Sequence, residues 1–216
     1  MPFLKWLAPD DHAAHVFARY PHIYKLYSMA SRAIMRGPSP FSPGQRELIG
    51  AYVSGLNRCG FCFGAHSQTA HLFGYPEGVV EQLLENVEEA KIEDNLKPVL
   101  LFIRKLVQDP NRLTTNDAEA VYAAGWDGDA LHSAVAVAST FQFMNCFARG
   151  VGIETENMDF EALGAERHRT DYTPMAPIET EKISKDTDEA YALSPPNWNR
   201  IWDMAAEETK LKKSDQ

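Results

Sequence analysis

Apolar side chains recur along this chain at three- and four-residue intervals, the spacing that gathers them on one face of an α-helix. Between residues 11 and 35, Val16, Tyr20, Ile23, Tyr24, Tyr27 and Ile34 follow that rule, and Pro21 marks a break or a fresh start. After a loop holding Gly37, Pro38 and Pro40, Ser42-Pro43-Gly44-Gln45 has the form of a capping box with proline at the first helical position. The helix it opens turns Leu48, Ile49, Tyr52, Val53 and Leu56 inward and ends or bends near Asn57. Another runs from about Cys59 to a left-handed cap at Gly74, ahead of Pro76. Residues 76–87 and 95–108 are two more amphipathic candidates, the second carrying Val99, Leu100, Ile103, Leu106 and Val107. Thr115 or Asn116 is expected to cap a helix ending at Gly125, and Asp127 or Asp129 to open a long Ala-rich helix reaching about Gly150. Apolar-polar alternation never survives more than a few positions, so no β-strand is predicted. The pattern is all-α.

The pattern changes after Gly152. Residues 1–152 read as one helical domain with its core motif at 42–74, and 153–216 as an arm with four prolines and many charges. One helix stands out in the arm, capped by Ser194 and opened by Pro195 and Pro196, with Trp198, Ile201, Trp202 and Ala205 on one face. That face is expected to dock across a subunit boundary. Composition narrows the rest. Of the 216 residues 44% are hydrophobic, enough for a sizeable core, and 21 Lys+Arg against 30 Asp+Glu give a net charge of -9. This argues against a nucleic-acid partner, which asks for a basic stripe. The longest apolar run, Leu131 to Ala148, is interrupted by His132, Gln142 and Asn145 and reads as a buried helix, with no membrane partner. The N-terminus has no signal-peptide pattern, and three cysteines do not make a disulfide scaffold, so a reducing cytoplasm is expected.

The chemistry concentrates between Glu47 and His71, in ELIGAYVSGLNRCGFCFGAHSQTAH. Cys59 and Cys62 form C-x-x-C, and His66 follows four residues later. On a helix, positions 59, 62 and 66 fall within an arc of about 60°, so two thiols and an imidazole share a face. Asn57 is expected to cap this helix, placing Cys59 in its first turn, where the dipole favours a thiolate. An ordinary thiol with a pKa of ~8.5 is only about 3% thiolate at neutral pH. A helix start and a proton-accepting imidazole lower that pKa, and the thiolate attacks a peroxide O–O bond to give a sulfenic acid. The second thiol, three residues away, then closes a disulfide.

Other readings compete. A metal site from Cys59, Cys62, His66 and His71 is disfavoured, because zinc fingers separate their Cys and His pairs by a long spacer; no metal or cofactor is expected. A thioredoxin reading needs a βαβ context that is missing. Cys146 reads as a small buried hydrophobe. Ser54 and Asn57 read as structural residues at the helix junction, and His71 as a surface or satisfied histidine.

Glu47, then Ser54-x-x-Asn57-x-Cys59-x-x-Cys62-x-x-x-His66, with twelve residues from the glutamate to the first cysteine, resembles the signature of the AhpD-like branch of the carboxymuconolactone decarboxylase family. LTTNDAEAVYAAGWDGDALHSAVAVASTFQFMNCFARGVG resembles the closing helices of that family, and the resemblance spans about residues 40 to 152. It implies an all-helical fold, assembly as trimers or hexamers, and a thiol peroxidase or disulfide reductase activity acting on a hydroperoxide with a dithiol reductant, of lipoyl type in related enzymes. It also implies a proton relay by Glu47 and His66, with Cys62 attacking the peroxide and Cys59 as its disulfide partner. The chain departs from the pattern at Phe61, where the best-known members have histidine, and at Cys146, where arginine is frequent. Two alternatives stand beside the peroxidase: a lyase acting on a small lactone or keto acid through Glu47 and His66, and a redox-responsive assembly module without enzymatic activity.

Overall fold

A computed structural model describes residues 1–170. Within them the chain forms α1 (Ala13–Arg19), α2 (Pro21–Arg36), α3 (Pro43–Leu56), α4 (Gly60–Leu72), α5 (Val79–Glu85), α6 (Lys97–Gln108), α7 (Thr115–Ala123), α8 (Gly128–Val151) and α9 (Phe160–Thr170), with short 3-10 turns before α6 and α7. No β-strand occurs among the described residues, as the pattern predicts. The arm helix carrying Trp198 and Trp202 lies outside them.

α3 is the axis of the bundle. Ser42 caps it in the expected box with Gln45, and Pro43 begins it. Leu48, Ile49, Ala51, Tyr52 and Val53 have no solvent exposure, and burying each of the larger ones contributes about 1.5–3 kcal/mol. α4, α5, α6 and α8 pack around it. Close approach to α8 depends on Gly50, where a Cβ would lie 2.4 Å from the Phe141 ring. On α6 the buried stripe is Val99, Leu100 and Ile103. On α8 it is Ala130, Ala134, Val137, Ala138, Phe141, Asn145 and Ala148, three- and four-residue steps along one side.

α9 lies beyond the boundary expected at 152, and it packs lengthwise on α4. Glycines permit this in both directions: a Cβ on Gly164 would meet Gln68 Cβ at 2.6 Å, and one on Gly64 would meet the Phe160 ring at 2.7 Å. A second apolar cluster forms there from Ala13, Cys59, Phe61, Cys62 and Ala148, flanked by Phe17, Met144, Phe160 and Leu163.

Several local expectations change. Asn57 ends α3 instead of capping α4; its side chain is drawn away to Gln142 and Asn145 on α8. Thr114 caps α7, one residue before the expected position, because Asp117 answers its backbone N–H at 2.7 Å. On α2, Ile23 is 52% exposed, while the side buried against the bundle is marked by Ser31 and Met35. Cys146 is exposed, since it follows Asn145 and so points off the buried stripe of α8.

Candidate active site

The turn from α3 to α4 is sharp. Arg58 adopts a left-handed conformation with φ of 54°, uncommon for a residue with a side chain, and the Cys59 N–H donates to the Ser54 carbonyl at 2.9 Å. Cys59 thereby becomes the N-cap of α4 and Cys62 sits in its first turn. Ser54 and Asn57 brace the corner: Asn145 Nδ2 donates to Ser54 Oγ at 3.0 Å, and Asn57 Nδ2 donates to Asn145 Oδ1 at 2.9 Å. Their structural role is the one expected.

Both thiols are reduced and buried, and they are unequal. Hydrogen bonding with the Cys62 side chain brings Cys59 down to about 7 against the opposing effect of burial, and Arg149 and Asn145 add to the lowering. The same interaction and burial push Cys62 well above the ordinary thiol range, with Arg167 and Asn145 opposing. The pair therefore holds one proton near neutrality, with the negative charge on Cys59. The thiolate is favoured by its sister thiol and by Arg149, where the imidazole of His66 was expected to act.

Glu47 and His66 do meet. Glu47 Oε2 lies 2.6 Å from His66 Nδ1, and Arg36 Nη2 donates to Glu47 Oε1 at 2.7 Å, all within the interior. Burial pushes the Glu47 carboxyl up, but His66 and Arg36 outweigh it and keep it below its ordinary value. Phe141 packs edge-on to the imidazole at 4.5 Å. On the other ring nitrogen, Arg167 Nη1 of α9 approaches Nε2 to 2.7 Å. A guanidinium only donates, so Nε2 accepts and the neutral ring carries its proton on Nδ1, facing Glu47. Burial and the Arg167 charge lower His66 to about 4, against the pull of Glu47.

Cys62 and His66 border a cavity of about 210 Å³. Phe17, Met35, Phe61, Phe141, Met144 and Leu163 supply much of its wall, and Tyr27, Ser31, His12, Glu166 and Arg167 are among its polar residues. His12 stacks on Phe61 with centroids 6.1 Å apart, so the histidine that caps α1 arrives beside the position where the sequence lacks one. Burial, with His15 and Arg167, lowers it to about 4. His71 stands apart on the surface, with Nδ1 3.0 Å from the Tyr75 carbonyl. The sequence reading missed Arg36, Arg167, His12 and a direct role for Asn145. Asn145 lay within the closing stretch that carried the resemblance, whereas His12 and Arg167 showed no spacing to the cysteines.

No family profile matches the chain, and no curated protein matches it. Solved structures do. One is an alkylhydroperoxidase AhpD core, an uncharacterized peroxidase-related protein from Ralstonia eutropha JMP134: 22% identical, TM-score 0.63, covering 69% of this chain and 78% of that one. Another is an uncharacterized peroxidase-related protein from Silicibacter sp. TM1040: 21% identical, TM-score 0.59, covering 63% and 71%. The chain has the AhpD-like helical fold.

Proposed function

We propose that this AhpD-like chain is a thiol-dependent peroxidase whose working pair is Cys59 and Cys62. The observation that carries the reading is the placement of the pair: both thiols sit buried at the start of α4, and Cys62 borders the cavity beside His66 and Arg167. Passing the Cys62 proton to Cys59 places the thiolate on the cavity side, where the Arg167 charge favours it. Cys62 then attacks the terminal peroxide oxygen. The O–O bond breaks, Cys62 becomes a sulfenic acid, and the alkoxide takes the proton from Cys59 to leave as an alcohol. The Cys59 thiolate attacks the Cys62 sulfur, forming the disulfide and expelling hydroxide, which is protonated to water. A dithiol, of lipoyl type by the family resemblance, returns two electrons and two protons.

Glu47 and His66 complete the site. While Arg167 occupies Nε2, the dyad fixes the guanidinium beside Cys62; with Arg167 swung aside, Nε2 is available to carry a proton. The reducing chemistry suits a cytoplasmic compartment. Ile23, Leu26 and Met29 expose more than half of their surface along the outer side of α2, which supports self-association into a homo-oligomer. Among the described residues no helix is long and apolar enough to cross a membrane.

The test is consumption of cumene hydroperoxide with dihydrolipoamide as reductant. Wild type should turn over, Cys62→Ser should not, and Cys59→Ser should stop at a sulfenic acid on Cys62 that dimedone traps. Full turnover by Cys62→Ser would overturn the assignment.

A further inference from the structure

The charge balance inside the cavity is incomplete. Arg167 brings a half-buried guanidinium to its wall, and the partner at 2.7 Å is the neutral Nε2 of His66. Among the described residues no carboxylate pairs with Arg167. Glu166 also lines the cavity, and both of its oxygens are held by Arg169 at 2.7 and 2.8 Å. Glu47 lies behind His66 and is committed to Arg36. A guanidinium presents five N–H donors in a planar fork, and one hydrogen bond to an imidazole leaves most of that fork unused. Cations withdrawn from water in this way ordinarily meet an anion.

Across the same cavity stands a second polar group, Ser31, whose side chain faces the Tyr27 hydroxyl. Ser31 is 8% exposed, lines the cavity, and its Oγ makes no hydrogen bond of normal length and angle. A buried hydroxyl whose neighbour is another hydroxyl keeps donor and acceptor capacity to spare. The remaining wall is largely aromatic rings, methionine and leucine.

We propose that this cavity binds a compact apolar carboxylate, its anionic head on Arg167 and Ser31 and its hydrocarbon body against Phe17, Met144 and Leu163. Arg is suited to the two parallel N–H···O bonds that a carboxylate accepts. The volume of about 210 Å³ equals roughly seven water molecules' share of the liquid, which fits a substituted benzoate or short branched acid and not a long acyl chain. As a ligand site this stands independently of the thiol chemistry. As a substrate site it rests on the peroxidase reading, and the substrate class is then a hydroperoxide bearing a carboxylate.

Calorimetric titration of the full chain with 4-isopropylbenzoate and its neutral isostere 4-isopropylbenzamide, at pH 7, tests the ligand class without any turnover. The benzoate should bind at least tenfold more tightly than the amide. That preference should vanish in Arg167→Gln and fall several-fold in Ser31→Ala, which leaves α9 untouched. Binding is read with no peroxide or reductant present, so loss of peroxidase activity and loss of the ligand site are read separately. Equal affinity for acid and amide in wild type, no binding of either, or a preference that survives Arg167→Gln overturns the proposal.

Discussion

Arg167 Nη1 and His66 Nε2 lie 2.7 Å apart, and that contact fixes which tautomer the buried imidazole adopts. It joins a helix outside the stretch that carries the family resemblance to the imidazole at its centre. Burial and the Arg167 charge keep His66 neutral, and because the guanidinium donates, the ring's own proton is directed at Glu47. A proton relay through Nε2 requires this contact to open.

Replacing Arg167 by glutamine should therefore raise His66. Burial continues to hold the imidazole below its ordinary value, but the cation that adds to the lowering is gone. Histidine ring resonances followed by NMR against pH should show His66 titrating above its wild-type midpoint of about 4. An unchanged midpoint would show that the Arg167 charge is not felt there.

The two thiols should titrate separately. Thiolate absorbance at 240 nm against pH should give a first midpoint near 7, and mass mapping after brief iodoacetamide treatment should place it on Cys59. Cys62→Ala removes the main cause of the lowering, so the midpoint of Cys59 should climb towards the ordinary thiol range. A low midpoint on Cys62 instead would reverse the roles assigned to the pair.

Stability should fall in mild acid. His66 has an ordinary value of 6.5 and about 4 in the fold, so between these limits the unfolded chain binds the proton that the fold refuses. The contribution is complete above about pH 6.5 and lost progressively as the pH drops towards 4, on the order of 3 kcal/mol for a shift of this size. Urea midpoints measured from pH 7 to pH 4 should decline, and His66→Gln should flatten the slope.

Glu47→Gln should cost about 3–5 kcal/mol in urea unfolding, because it leaves a fully buried charge pair without its anion. The same change should lower peroxide turnover by about 10²-fold, the size usual for a positioned acid–base group. A Gln variant as stable as wild type would show that the cluster relaxes or takes up water.

Gly164→Leu should lift α9 from α4. Its side chain would collide with Gln68 Cβ, already 2.6 Å from an added Cβ, and with the α4 backbone at 3.2 Å. Trypsin should then cut after Arg167 and Arg169 at least tenfold faster than in wild type, while cleavage in α3 and α4 stays slow. Equal cleavage rates would mean that the two helices adjust around the leucine.

Periodicity and capping chemistry made the helical frame legible. The box at Ser42, the break at Pro21 and the glycine stops at Gly74 and Gly125 are local signals that tertiary packing left in place. Cys59, Cys62 and His66 were legible as neighbours because four-residue spacing on a helix fixes their side. That Glu47 reaches His66 could be inferred only by resemblance, since the register between α3 and α4 depends on how they pack. His12 and Arg167 were hidden for the same reason at longer range: they come from 47 residues before Cys59 and 101 residues after His66, brought in by packing that no local pattern encodes. Ile23 misled because an apolar side chain at helical spacing says which face it shares, not whether that face is covered.

The division of labour between α4 and α9 separates two kinds of change. The reacting sulfurs and the acid–base dyad occupy α3 and α4, whose neighbours leave little room for substitution, whereas the cationic group and one apolar wall of the cavity come from eleven residues, Phe160–Thr170, that follow the main bundle. Exchanging that single helix for another with Gly164 and Arg167 retained would alter which molecules reach the sulfurs while leaving the cation beside Cys62 and His66, and the partners of the redox pair on α8, as they are. Selectivity in this scaffold is thus a replaceable part, open to variation by inheritance or by design without reopening the chemistry.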